Sequence, residues 1–79
     1  MKIHILYFAQ LRELAGKDCE TRETSAPSPS ALYQELAAQY HFHLHSNDLR
    51  AAVNNEFVPM DRPLQDGDEI AFIPPVAGG

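Results

Sequence analysis

The chain is predicted to fold as an α+β roll, one mixed sheet with a principal helix laid across it. Two stretches at opposite ends, 2–8 and 69–73, are apolar on both alternating faces, as strands in the middle of a sheet are. A single long stretch from Pro29 repeats apolar residues at helical spacing. Strong turn signals, Asn54-Asn55 and Asp66-Gly67-Asp68, divide the remainder into short extended pieces. Periodicity carries no information on strand order.

In chain order, residues 2–8 alternate Ile3, Ile5 and Tyr7 on one face with His4, Leu6 and Phe8 on the other. Residues 9–15 then change to helical spacing, with Phe8, Leu11, Leu14 and Ala15 on the predicted inner side, and Gly16 is placed to end the helix. The segment 19–24 is rich in Thr and charge, as an exposed edge strand is. Ser28 can cap the principal helix and Pro29 suits its first position, where the missing N–H does no harm. Leu32, Leu36 and Tyr40, with Ala37 beside them, form its inward stripe. Leu49, Ala51 and Val53 alternate as a strand. Asn54-Asn55 tolerates the positive φ of a tight hairpin, so 56–58 should return antiparallel before Pro59 closes it. Leu64 is expected to tuck under the sheet. After the Asp66-Gly67-Asp68 turn the last strand, 69–73, places Ile70 and Phe72 on one face and Ala71 and Ile73 on the other.

A chain of 79 residues makes one domain, here 1–73 with an extended tail at 74–79. It can bury roughly 60–65% of its unfolded surface, so one core suffices without metal or disulfide support. The single cysteine, Cys19, excludes an internal disulfide and fits a reducing compartment. No run approaches the ~18 apolar residues of a membrane span. No apolar leader follows Met1-Lys2. A cytoplasmic protein with no membrane role is the expectation. The formal net charge of −5 and the absence of clustered Lys and Arg argue against nucleic acid as a partner. They favour docking on another protein, with electrostatic steering.

Enzyme signatures are scarce. There is no Gly-rich phosphate loop, GxSxG, HExxH or cysteine pair. Asp66, Asp68 and Glu69 read as a solvated turn rather than an acid–base pair, because catalytic carboxylates need burial or partners to tune them. Cys19 has no basic neighbour in sequence to activate it. His41, His43 and His45 would project three imidazoles to one side if extended, yet no further ligand completes a recognisable set; a solvated connector with Phe42 and Leu44 turned inward accounts for them. No metal site is expected. What remains is Pro74-Pro75-Val76-Ala77-Gly78-Gly79. Two prolines favour an extended, low-entropy stem, six residues at ~3.3 Å each reach about 20 Å, and glycines without Cβ can thread a narrow tunnel. A terminal carboxylate on Gly79 is a poor electrophile until a partner activates it.

Four segments in order resemble one family. Tyr7-Phe8-Ala9-Gln10-Leu11-Arg12-Glu13-Leu14-Ala15-Gly16, Ala52-Val53-Asn54, Leu64-Gln65-Asp66-Gly67-Asp68-Glu69-Ile70-Ala71-Phe72 and Phe72-Ile73-Pro74-Pro75-Val76-Ala77-Gly78-Gly79 are similar to motifs of the small, sulfur-carrier subunit of molybdopterin synthase. The likeness is weakest at 17–25 and 41–48. It implies a β-grasp, ubiquitin-like fold and a carrier that is not a catalyst on its own. It further implies adenylation of the Gly79 carboxylate by an E1-like enzyme using ATP, with no cofactor bound permanently. A sulfur donor protein then enables conversion to a thiocarboxylate, and sulfur passes to a pterin precursor in a large catalytic subunit to build the molybdenum-binding dithiolene. The assembly so implied holds two small and two large chains. Gly79 would be the carrier, Gly78 the clearance, and Pro74, Pro75, Val76 and Ala77 the insertion path. Phe8, Phe72 and Ile73 are candidates for an apolar docking patch, with core packing an equal alternative for each. The competing readings are a thiamine-pathway sulfur carrier, which lacks the FAQLREL and PPV stretches, a ubiquitin-like modifier that joins its terminal glycine to lysine, and a plain binding module with a spectator tail.

Overall fold

The computed structural model describes residues 1–75. Strands β1 (Lys2–Tyr7) and β5 (Glu69–Ile73) run parallel at the heart of a five-stranded sheet of order β2-β1-β5-β3-β4. β2 (Cys19–Glu23) pairs antiparallel with β1, β3 (Arg50–Val53) pairs antiparallel with β5, and β4 (Glu56–Val58) closes the far edge. Two helices, α1 (Ala9–Ala15) and α2 (Pro29–Tyr40), and a 3₁₀ turn at Ser46–Asp48 complete the chain. This is the β-grasp arrangement. The expected central strands and the edge strand at β2 are found where periodicity placed them, and the first strand ends one residue sooner, at Tyr7.

α2 forms where its punctuation says. Ser28 is extended (φ −150°), and its hydroxyl accepts from the Ala31 N–H at 3.2 Å while Pro29 opens the helix. His41 ends it in the left-handed conformation (φ 61°), donating its backbone N–H to the Ala37 carbonyl. Leu32, Tyr33 and Leu36 press on Ile3, Ile5, Ile70, Phe72, Ala51 and Val53, all buried. Tyr33 was absent from the predicted stripe, yet it is among the largest fully buried side chains, its ring 5.6 Å from Phe72 and stacked on Phe42 at 5.8 Å. A phenol can lie there because its hydroxyl donates to the Leu44 carbonyl at 2.7 Å.

The short helix departs from expectation. Leu11 alone of its predicted inner side is fully buried, while Phe8 and Leu14 are 45% and 41% exposed. The cause is local. Phe8 stays extended as N-cap (φ −126°), and Ala9 turns the chain through φ 51°, which swings Phe8 outward. Seven residues then make only two turns, ended by Gly16 at φ 75° with its N–H on the Arg12 carbonyl.

The acidic turn is also not the solvated loop expected of it. Asp66 accepts from the Lys2 N–H at 2.6 Å, and Gly67 donates to the Lys2 carbonyl at 2.8 Å. Asp68 is buried. Its carboxylate accepts from the Gln65 N–H at 2.9 Å and from the Asn54 side-chain amide at 3.0 Å, with Arg62 at 3.7 Å. Asn54 in turn accepts from the Glu69 N–H at 3.0 Å and donates its own N–H to the Glu69 carbonyl at 2.8 Å. The turn is a clasp joining the starts of β1 and β5 to the β3–β4 hairpin, whose Asn54 and Asn55 take φ 53° and 71°.

Candidate functional site

β5 is the element that delivers the tail. It lies between β1 and β3, so its end is held from both sides, and the chain leaves it at Ile73 through Pro74, which is buried, and Pro75, which is exposed. Pro74 and Pro75 are thus at the base of the predicted insertion path; Val76, Ala77, Gly78 and Gly79 lie outside the described residues.

The surface around that exit follows from register. Period-two alternation puts Ala51, Val53, Ile70 and Phe72 on the helix side and their neighbours on the other. Leu6 is opposite both Cys19 and Ala71, Ala71 opposite Ala52, and Ala52 opposite Phe57, giving a row that crosses the outer face. Ala71, though covered by its neighbours, is no part of the main core cluster. Ile73 faces Arg50 one step nearer the exit. Phe57 is 62% exposed. The outer face is therefore mildly apolar, with Phe57 standing from its far edge.

Of the three docking candidates, Phe8 is exposed, Ile73 is half-buried on the outer face, and Phe72 is fully buried against Tyr33. For Phe72 the core alternative is the one observed, and its place in a surface patch is withdrawn. Phe57 was missed. Its signal was a large apolar residue in a short strand beside a hairpin turn, but only the register shows which face it takes.

Charge is organised on the opposite side of the sheet. The Glu20 carboxylate accepts from Tyr40 at 2.6 Å and, by a short hydrogen bond, from Tyr7. Arg22 bridges Glu20 at 3.8 Å and Glu35 at 3.0 Å, and Lys17 lies 5.4 Å above the Tyr40 ring. Burial pushes Glu20 up, but the hydrogen bonds from Tyr40 and Tyr7, with Lys17 and Arg22 nearby, outweigh it and hold the carboxyl below its ordinary value. Burial first, then the Glu20 bond and charge, drive Tyr7 far above the usual phenol range. This network welds β2 to α2. Its place in the molecule is structural.

The other tempting residues are dispersed. Cys19 is a free, exposed thiol on the edge strand. The histidine run is not extended: His41 is the left-handed cap of α2, and the His45 ring accepts from the Asn47 N–H at 3.2 Å, while Phe42 and Leu44 turn toward the core. Among the described residues no three His, Cys, Asp or Glu side chains are grouped to hold a metal ion. No helix there is long and apolar enough to cross a membrane.

A family model described as the ThiS family matches residues 5–79. The molybdopterin synthase sulfur carrier subunit of Escherichia coli (strain K12) is 48% identical, over 98% of this chain and 99% of that one. Among solved structures, a putative molybdopterin converting factor subunit 1 from Pyrococcus furiosus superposes with TM-score 0.77 at 30% identity, covering 96% of this chain and 99% of the other. The same fold occurs in a complex of subunits 1 and 2 of the molybdopterin-converting factor from Helicobacter pylori, with TM-score 0.68 at 21% identity and full coverage of both chains. With a β-grasp sheet whose central strand ends at a Pro-Pro exit, the chain belongs to the ThiS family and, within it, to the molybdopterin synthase sulfur carrier subunits.

Proposed function

We propose that this protein carries sulfur for molybdopterin synthesis as a thiocarboxylate on Gly79. The observation that carries the reading is the conjunction of full-length 48% identity to a sulfur carrier subunit with a Pro-Pro-Val-Ala-Gly-Gly sequence leaving the firmly held strand β5. An E1-like enzyme adenylates the carboxylate with ATP, releasing pyrophosphate. Sulfide-level sulfur delivered by a donor protein displaces AMP from the acyl adenylate, and the resulting thiocarboxylate, largely anionic near neutral pH like a thiolate, is nucleophilic. In the large subunit it gives up its sulfur to a pterin precursor, and two such deliveries make one dithiolene. The domain supplies a rigid handle and the partners supply the catalysis, in an assembly of two small and two large chains. A cytoplasmic setting accords with the free thiol of Cys19.

The thiamine-pathway reading stands behind this one because the relative at 48% identity is a molybdopterin synthase subunit. Incubation with the E1-like partner, ATP and a sulfur donor should add the mass difference of sulfur for oxygen at Gly79. Lysine-linked adducts on other proteins would instead mark a modifier. Activity that survives removal of Gly78 and Gly79 would overturn the carrier role.

A further inference from the structure

Arg50 differs from the chain's other arginines. Arg12 is within 3.8 Å of Asp18, Arg22 is bound to Glu35 and Glu20, and Arg62 approaches Asp68. Among the described residues no carboxylate lies within ion-pair distance of the Arg50 guanidinium; it rests over the exposed Phe57 ring, 4.6 Å from the centroid. Stacking of this kind orients the planar cation while leaving its N–H edges free for a carboxylate. The register adds the location. Arg50 is directly opposite Ile73, the last residue of β5, so it stands on the outer face beside the point where the chain leaves the sheet toward its C-terminal residues. Among the described residues its one recorded side-chain partner is an aromatic ring and no carboxylate, on a chain of net charge −5.

We infer that Arg50, resting over the Phe57 ring, is a specificity-determining contact that pairs with an acidic side chain at the tail-receiving mouth of the synthase's large subunit. This rests on the sulfur-carrier reading above. General negative charge can steer encounter with a basic partner. A single oppositely signed group at the exit then sets the docking register, because a mismatched rotation leaves it facing its own sign. The stack matters as much as the charge: lysine, a mobile point charge without a planar face, is a poor replacement.

The test is the Kd of the full-length chain for its cognate large subunit, measured at two salt concentrations for wild type, Arg50→Ala, Arg50→Lys and Arg50→Glu. All should fold with at most a small fall in Tm, since Arg50 is exposed and outside the core and gives up only its contact with the Phe57 ring. Arg50→Ala should weaken binding about tenfold and flatten its salt dependence, and Arg50→Glu should weaken it by a further factor of about ten, as reversal at a docked charge pair does. Arg50→Lys should fall between wild type and Arg50→Ala. Arg50→Glu binding within twofold of wild type would overturn the inference and leave the carrier reading intact. So would equal losses for Ala and Glu with unchanged salt dependence, which would mean packing alone. If Arg50→Glu disturbs only the E1-like enzyme's binding, the large subunit is the wrong partner. A wild-type chain that does not bind the large subunit at all would defeat both readings together.

Discussion

Asp68 shows how much one carboxylate can hold when it is buried with its partners. It joins Asn54, the Gln65 backbone and Arg62 in one clasp, so the AVN and DGDE motifs, far apart in sequence, are two halves of a single joint. Asp68→Ala would strand the Asn54 amide and the Gln65 N–H and should cost about 2 kcal/mol, read as a fall in denaturation midpoint. Glu20 gives a pH signature. Its folded value lies below the ordinary 4.5, so the unfolded chain takes up its proton first on acidification. The stability from Glu20 is complete above the unfolded value and is lost as pH falls toward and through the folded one. Glu20→Gln should therefore flatten the acid limb of the stability–pH curve below about pH 5, with a uniform loss near neutrality. An unchanged acid limb would mean that the Tyr7 and Tyr40 bonds do not favour the charged carboxylate.

At the level of elements, the α1 entry is the unusual piece. Ala9 holds φ 51°, a conformation that costs an L-residue roughly 1–2 kcal/mol, and the effect is to expose Phe8 beside the exit of β5. A β-branched residue tolerates this angle worse, so Ala9→Val should lower stability by at least about 1 kcal/mol. If Ala9→Val melts with wild type, the left-handed turn is not what sets Phe8. The β3–β4 hairpin is built the same way, with two asparagines at positive φ, but there the residue type announced the turn beforehand. Alanine at position 9 announced nothing. Helical spacing alone therefore points Phe8 and Leu14 inward, where neither lies.

In the proposed function the chemistry falls on Gly79 and not on the residues that hold the described fold together. The main core, the clasp and the Glu20 network all fall within residues 1–75. Removing Gly78-Gly79 should leave Tm unchanged while abolishing sulfur loading, measured by intact mass. Adding one residue after Gly79 should do the same, because the reacting group in the proposed cycle is the free carboxylate. A destabilised truncation would mean that the tail contributes to the fold.

Alternation, helical spacing and the Ser28-Pro29 start signal determined which stretches are strands, where α2 begins, and that the last strand is central, since those properties depend on neighbours within a few residues. The four motifs determined the family. Tertiary structure alone decided that Phe72 is core, that Phe57 and Arg50 stand together on the outer face, and that Asp68 is buried. The first two depend on how strands pair, where a single-residue shift in register would exchange every inward side chain for an outward one, and the third on a turn closing against the β3–β4 hairpin.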